Sequence, residues 1–200
     1  MTRFAQPVPR CPTCAHPMEA HTCDACANEP LALEACLSAV TYGFPWDACI
    51  AQFKFKGDAY LGRCLAHVML HAPHVEPALE AADHVIAMPL SAPRLRERGF
   101  NQAYVLAKQL APSKASAHVL QRAGDGAHHQ VGATREERLN FAQDVFWVAP
   151  QHLAALQQTR VVLVDDVMTT GATLSAAATV LKRAGVAHVT GLVFARAQRR

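Results

Sequence analysis

The chain predicts an α/β fold with a mostly parallel sheet, plus a small metal-binding module at its start. Three observations predict it. Apolar runs of strand length alternate with helix-spaced segments along most of the 200 residues. One of these runs, Val161 to Val164, ends in two adjacent aspartates and turns through a glycine into an amphipathic stretch. Four of the seven cysteines fall between positions 11 and 26.

The elements follow in order. Residues 35–44, "ACLSAVTYGF", have the β-branched and aromatic content of a strand. In 47–55, "DACIAQFKF", Ile50, Phe53 and Lys54 stand at helical spacing from Asp47, which reads as a short helix. The stretch after Gly57 and Asp58 is an amphipathic helix ending before Pro73, and "PALEAA" is a further short helix. "HVIAMP" (84–89) reads as a buried strand stopped by proline. Residues 101–111 form a helix with Asn101 as its N-cap, ended by Pro112. Strands are predicted over 118–123, 144–150, 160–165 and 188–195, and a helix over 172–184 with Gly185 as its C-cap. Strands separated by helices imply βαβ units, in which ligands bind at the carboxyl ends of the strands.

Composition is 51% hydrophobic and 18% charged, enough to bury a core. There is no apolar run of membrane-spanning length and no secretion-signal pattern at the start, so a cytoplasmic location without membrane insertion is expected. Net charge is +3, too mild to announce nucleic-acid binding by itself. Its distribution says more: residues 1–30 carry two basic and three acidic groups, residues 94–138 eight basic and four acidic. An anion grip is therefore expected in the middle of the chain.

"CPTCAHPMEAHTCDAC" holds two C-x-x-C pairs, Cys11/Cys14 and Cys23/Cys26. Two such turns complete a Cys₄ shell for zinc, structural because it leaves no open coordination position. His16 and His21 lie between the pairs but are not needed as ligands, and Cys36, Cys49 and Cys64 read as ordinary buried residues. The expected division is a zinc-binding module over 1–30 and the α/β domain over 31–200.

Asp165 and Asp166 at the mouth of a buried strand would repel each other unless a ligand or cation used them. The following turn brings Thr169, Thr170 and Thr173 around Gly171 and Ala172. Hydroxyls, main-chain amides and a helix N-terminus there suit an anion. Donors for a phosphate beside acceptors for hydroxyls are what a ribose 5-phosphate requires. An ordinary capped helix with a solvated acid is the plainer account of the same residues. A nucleoside-triphosphatase loop is excluded, because no Gly-x₄-Gly-Lys-[Ser/Thr] occurs.

Two basic stretches could serve an anion. Arg94, Arg96 and Arg98 alternate, so in an extended chain they share a face and on a helix they spread apart. In "QFKFKGD", an extended chain would put Phe53 and Phe55 on one side and Lys54 and Lys56 on the other, a stacking platform beside a phosphate track or a core strand with a lysine edge. Arg135 and Arg138 stand one helical turn apart, where ion pairs on a short helix are the plainer reading.

"VVLVDDVMTTGAT" resembles the phosphoribosyl-pyrophosphate (PRPP) motif of type I phosphoribosyltransferases. With "CPTC…CDAC", "FKFKGD", "RLRERGFNQA" and "HHQVGATREERLNFAQDVF" in this order, the whole chain resembles the ComF family of competence-related, DNA-utilisation proteins. The resemblance implies a type I phosphoribosyltransferase-like, Rossmann-like core. It makes Asp165 and Asp166 the catalytic pair, holding the ribose hydroxyls directly or through Mg²⁺. It gives Thr169 to Thr173 the 5-phosphate, Pro89, Leu90 and Ser91 the pyrophosphate, and 122–138 the role of a closing loop. It also implies single-stranded DNA as a partner. Three functions compete: DNA handling with PRPP or a ribose phosphate bound; a working phosphoribosyltransferase acting on a base or amine; and a zinc-stabilised adaptor for a helicase partner.

Overall fold

A computed structural model describes residues 4–18, 23–56, 59–123 and 145–198. Its elements are α1 (Asp24–Asn28), β1 (Ala35–Thr41), α2 (Trp46–Lys56), α3 (Ala59–Leu70), α4 (Val75–Ala81), β2 (His84–Ala87), α5 (Ala92–Arg98), α6 (Gln102–Leu110), β3 (Ala115–Ser116), β4 (Leu120–Arg122), β5 (Phe146–Val148), β6 (Arg160–Met168), α7 (Ala172–Arg183) and β7 (His188–Arg196). Five strands form one sheet in the order β1-β7-β6-β2-β3, every neighbouring pair parallel. β4 and β5 pair with each other, antiparallel, outside that sheet.

β6 and β7 form the centre because they are apolar on both faces. Val161 to Val164 are buried in β6, and every residue of β7 from Val189 to Arg196 is buried. A strand buried on both sides reads as a continuous apolar run, which is why these two were evident from sequence. The crossovers β1→β2 and β2→β3 carry the chain one way across the sheet, and β6→β7 carries it back. Right-handed connections then put α3 and α6 on one face and α7 on the other. α3 packs on α6, α6 against β6, β2 and β3, and α7 against β5, β6 and β7.

Local chemistry sets the ends of the helices. Asn101 caps α6 as expected: its side-chain oxygen accepts from the Tyr104 amide at 3.2 Å, while its Nδ2 donates to the Met88 carbonyl at 3.0 Å. One residue thus starts α6 and ties it to the end of β2. α7 closes on Ala184, not Gly185. The glycine follows at φ +95, where the place of a Cβ is taken by the Gln157 side chain. β6 runs three residues beyond the predicted Asp165, and the short β3 was not expected.

The structure corrects two readings of alternation. Residues 53–56 lie in α2, so Phe53 and Phe55 diverge. Phe53 is buried against Phe100, ring centroids 5.8 Å apart, whereas Phe55 is 75% exposed. The 3.6-residue period prevails because Ile50 and Phe53 both reach the core from one helix face. Likewise Arg94, Arg96 and Arg98 lie on α5, so Arg94 and Arg98 share a face and Arg96 does not. Cys49 and Cys64 are half-buried, and Cys36 alone of the three is fully enclosed.

This packing yields a discriminating expectation. Phe53→Ala should cost about 3–5 kcal/mol in denaturant unfolding and Phe55→Ala less than about 0.5 kcal/mol. Equal costs would mean that the two rings share an environment and that α2 is misplaced.

Candidate functional site

The connections leaving β6 and β2, which are adjacent in the sheet, run in opposite directions. Between such strands a crevice opens at their carboxyl ends, the usual ligand site of this architecture. The acid pair lies near the carboxyl end of β6 and the threonine turn follows it, while Pro89 to Ser91 follow β2, so the two segments singled out from sequence lie at the same end of adjacent strands. The Met88 amide donates to the Val164 carbonyl at 2.9 Å and holds the two strand ends together.

Asp165 and Asp166 are consecutive strand residues and leave the backbone toward opposite faces of the sheet. Asp166 is buried and meets Lys54 of α2, Nζ to Oδ2 at 3.1 Å. The Asp165 carboxylate bends back to accept from the Asp166 amide at 2.8 Å. Although the Asp165 residue as a whole is half-buried, its carboxyl is pushed up to about 7, by burial first and by the Asp166 charge second. Lys54 and Arg122 of β4 oppose that rise. The repulsion expected between the acids is therefore present, and Lys54 relieves it on one side.

Thr169 and Thr170 are exposed, as are Ala172 and Thr173 at the start of α7. The Thr170 hydroxyl accepts from the Ala172 amide at 3.3 Å. Gly171 is buried at φ +92, and a Cβ there would fall 2.4 Å from Met168 Cε and 3.0 Å from Leu31 Cδ1. Its side is thus filled by the protein itself. The glycine lets the turn lie on Leu31 and Met168 with its threonines outward. On the other wall Pro89, Leu90 and Ser91 are half-buried, and the Ser91 hydroxyl caps no amide of α5.

The basic residues divide. Lys54 is in the site. Arg98 reaches it indirectly: Nη1 donates to Gln102 Oε1 at 3.1 Å, and buried Gln102 Nε2 donates to the Lys54 carbonyl at 3.4 Å. Arg94 and Arg96 are exposed on α5. Lys56 ends α2, and its side chain lies outside the described residues. Arg135, Arg138 and most of the 122–138 segment also lie outside them. Arg122, Gln102 and Arg196 were missed from sequence. Arg196 carried a signal, a cation closing a nine-residue run that is otherwise apolar or small but for His188 and Thr190.

Cys11, Cys14, Cys23 and Cys26 converge, their four sulfurs all within 4.8 Å of one another. Cys11–Cys26 and Cys14–Cys23 are 3.7 and 3.6 Å apart. Tetrahedral coordination with metal–sulfur bonds of ~2.3 Å requires sulfurs about 3.8 Å apart, so the four side chains fit a metal ion. Burial raises the Cys14 and Cys26 thiols. A cavity of about 460 Å³ lies elsewhere, lined by Ala5, Ala39, His67, Val68 and His71 among others. It is largely apolar and holds none of the acids or threonines, so its size does not make it the site.

Asp165 gives a pH test. Its proton is retained in the folded state between about 4 and 7 and lost from the unfolded chain, so stability falls as pH rises through that window. Asp165→Asn should raise the melting temperature by a few degrees at pH 8, and the gain should shrink toward pH 5. A gain independent of pH would show that burial does not tax this carboxylate.

No helix among the described residues is long and apolar enough to cross a membrane. The phosphoribosyl transferase domain profile matches residues 96–200. The chain is 30% identical over 195 residues to the DNA utilization protein YhgH of Salmonella typhimurium, covering 92% of this chain and 82% of that one. It is 31% identical to the competence protein ComFC of Bacillus subtilis, covering 88% and 73%. Competence protein F of Haemophilus influenzae is 26% identical, covering 94% and 85%. Identity of 30% and 31% over most of its length to two of these proteins, with the phosphoribosyl transferase profile over residues 96–200, identifies the chain as a member of the ComF family with a phosphoribosyl transferase domain.

Proposed function

We propose that the protein serves DNA uptake or utilisation, binding single-stranded DNA and PRPP or a related ribose phosphate, with a structural zinc ion in its four cysteines. The observation that carries the ribose-phosphate part is the crevice between β6 and β2. What supports it is that Asp165 and Asp166, which would accept from hydroxyls, precede a turn of Thr169, Thr170, Gly171, Ala172 and Thr173 at a helix N-terminus, which would suit a phosphate. Pro89, Leu90 and Ser91 form the opposite wall, where a pyrophosphate group would lie. The competence and DNA-utilisation names of the relatives support the DNA part.

The donor set of the acids also fits Mg²⁺, an oxygen-seeking ion that would accompany a diphosphate and neutralise its charge. Because the two carboxylates leave opposite faces of β6, one of them, together with oxygens of the diphosphate, would hold it. Zinc fits the cysteines because four thiolates at tetrahedral spacing are its preferred structural shell. Of the basic residues, Lys54 would serve the crevice, and the Arg94–Arg98 face of α5, linked to Lys54 through Gln102, would meet DNA.

Calorimetry with PRPP and Mg²⁺ tests the crevice. Asp165→Asn with Asp166→Asn should abolish binding, and Thr173→Val should weaken it about tenfold, the loss of one charge-assisted hydrogen bond. Undiminished binding in the double variant refutes the assignment. Pyrophosphate release with a base or amine present would add turnover to binding. For DNA, Arg94→Ala with Arg98→Ala should lower single-strand affinity and flatten its salt dependence more than Arg96→Ala does. Equal effects would exclude the shared face as the contact.

A further inference from the structure

The carboxyl end of β7 holds a completely buried cation. Arg196 is 0% exposed. Its Nε donates to the Cys14 carbonyl at 2.7 Å. Its Nη1 donates to the carbonyls of Met168 at 3.3 Å, of Ala197 at 2.7 Å, and of Thr169. Its Nη2 is buried without a hydrogen-bond partner among the described residues. One guanidinium therefore spans from the first cysteine pair to the backbone of the anion turn.

Two physical consequences follow. A trans peptide sets its N–H opposite its C=O. With the Met168 and Thr169 carbonyls drawn toward Arg196, the Thr169 and Thr170 amides are aimed away from it, on the side where these exposed threonines meet solvent. Those amides are the donors an anion in the turn would use. The second consequence concerns charge. Arg10, next to Cys11, donates to the Ala15 carbonyl at 3.1 Å and to Thr41 Oγ1 at 3.0 Å, and its guanidinium is close enough to Arg196 to be repelled by it. Among the described residues no carboxylate pairs with either arginine. Burying Arg196 beside the half-buried Arg10 without an anion is costly. Four thiolates around a divalent metal ion form a net dianion, which matches the two guanidiniums in charge and lies against the same backbone.

We propose that Arg196 is a positioning residue that couples the cysteine metal centre to the anion turn, so that loading one raises the affinity of the other. Metal fixes the Cys14 carbonyl and supplies the countercharge; Arg196, so held, keeps the Met168 and Thr169 carbonyls inward and the Thr169 and Thr170 amides outward. The coupling rests on the turn being a phosphate site. By linkage it is reciprocal: a bound phosphate ester must slow loss of the metal.

The test uses the full chain loaded with zinc. Metal transfer to a chromogenic chelator is timed with and without saturating ribose 5-phosphate, whose binding is measured separately by calorimetry. In the unaltered protein the ligand should slow metal loss by at least about fivefold, the lower end of ordinary site–site coupling. Arg196→Lys, with its metal content verified, should still take up the metal but lose that protection and bind ribose 5-phosphate about tenfold more weakly. Ligand binding that leaves metal loss unchanged in the unaltered protein overturns the coupling and spares the crevice. Failure of ribose 5-phosphate to bind at all overturns the crevice reading and the coupling with it. The decisive comparison is made on the unaltered chain, so it stands even if Arg196→Lys does not fold.

Discussion

The reversal of crossover direction between the parallel strands β2 and β6 is the constraint from which the rest of the architecture follows. A parallel sheet cannot place two outgoing loops against one crevice unless its crossovers diverge there. Here they diverge once among the five strands. That divergence brings Pro89–Ser91 opposite the threonine turn, sets α2 and α6 on the face toward which Asp166 points, and leaves α7 to present its N-terminus from the other side. Burial of β6 and β7 on both faces makes the position rigid. Residues whose neighbours are close-packed on every side hold their strand ends in place without help from a ligand.

Charge in the crevice is arranged around a conflict. Two neighbouring carboxylates in a low-dielectric setting disfavour each other's ionisation, and the protein meets this unequally. Asp166 receives Lys54 at ion-pair distance, and Asp165 is left to hold a proton more readily than an ordinary acid. Such asymmetry separates two chemically identical groups: one is held by a lysine, and the other carries the raised proton affinity. Gln102 and Arg98 support it from behind by fixing the backbone of Lys54, so α5, which buries no side chain of its own, is attached through polar contacts and not through a hydrophobic face.

The legible parts were those in which one residue has one reason to be where it is. β6, β7 and α7 follow from apolar periodicity, the Asn101 cap follows from its side-chain oxygen, and the four cysteines follow from spacing. Segments with two competing periods were harder. "FKFK" satisfies a period of two as well as one turn of helix, and the choice is made by Ile50 and Phe100, neither of which lies within the motif. The arginines of α5 were ambiguous for the same reason. Least legible were the groups that act across the sheet. Arg196 lies far along the chain from the Cys14 carbonyl it bonds, and Arg122 from the Asp165 whose charge it favours, and no local pattern joins them. The need for glycine at 171 is likewise not local: the space beside it is filled by Leu31 and Met168.

The placement of β1 and β2 bears on how the molecule can be divided. The stretch that matches the phosphoribosyl transferase profile begins after both of these strands, yet they flank β7 and β6 directly. Expressed alone, residues 96–200 would keep the central pair of strands while baring the ladder of amides and carbonyls along each outer side. Exposed apolar strands of that kind recruit one another from separate molecules. The recognisable half of this chain is therefore expected to clump when cut free, since in the whole chain β1 and β2 cover those two edges.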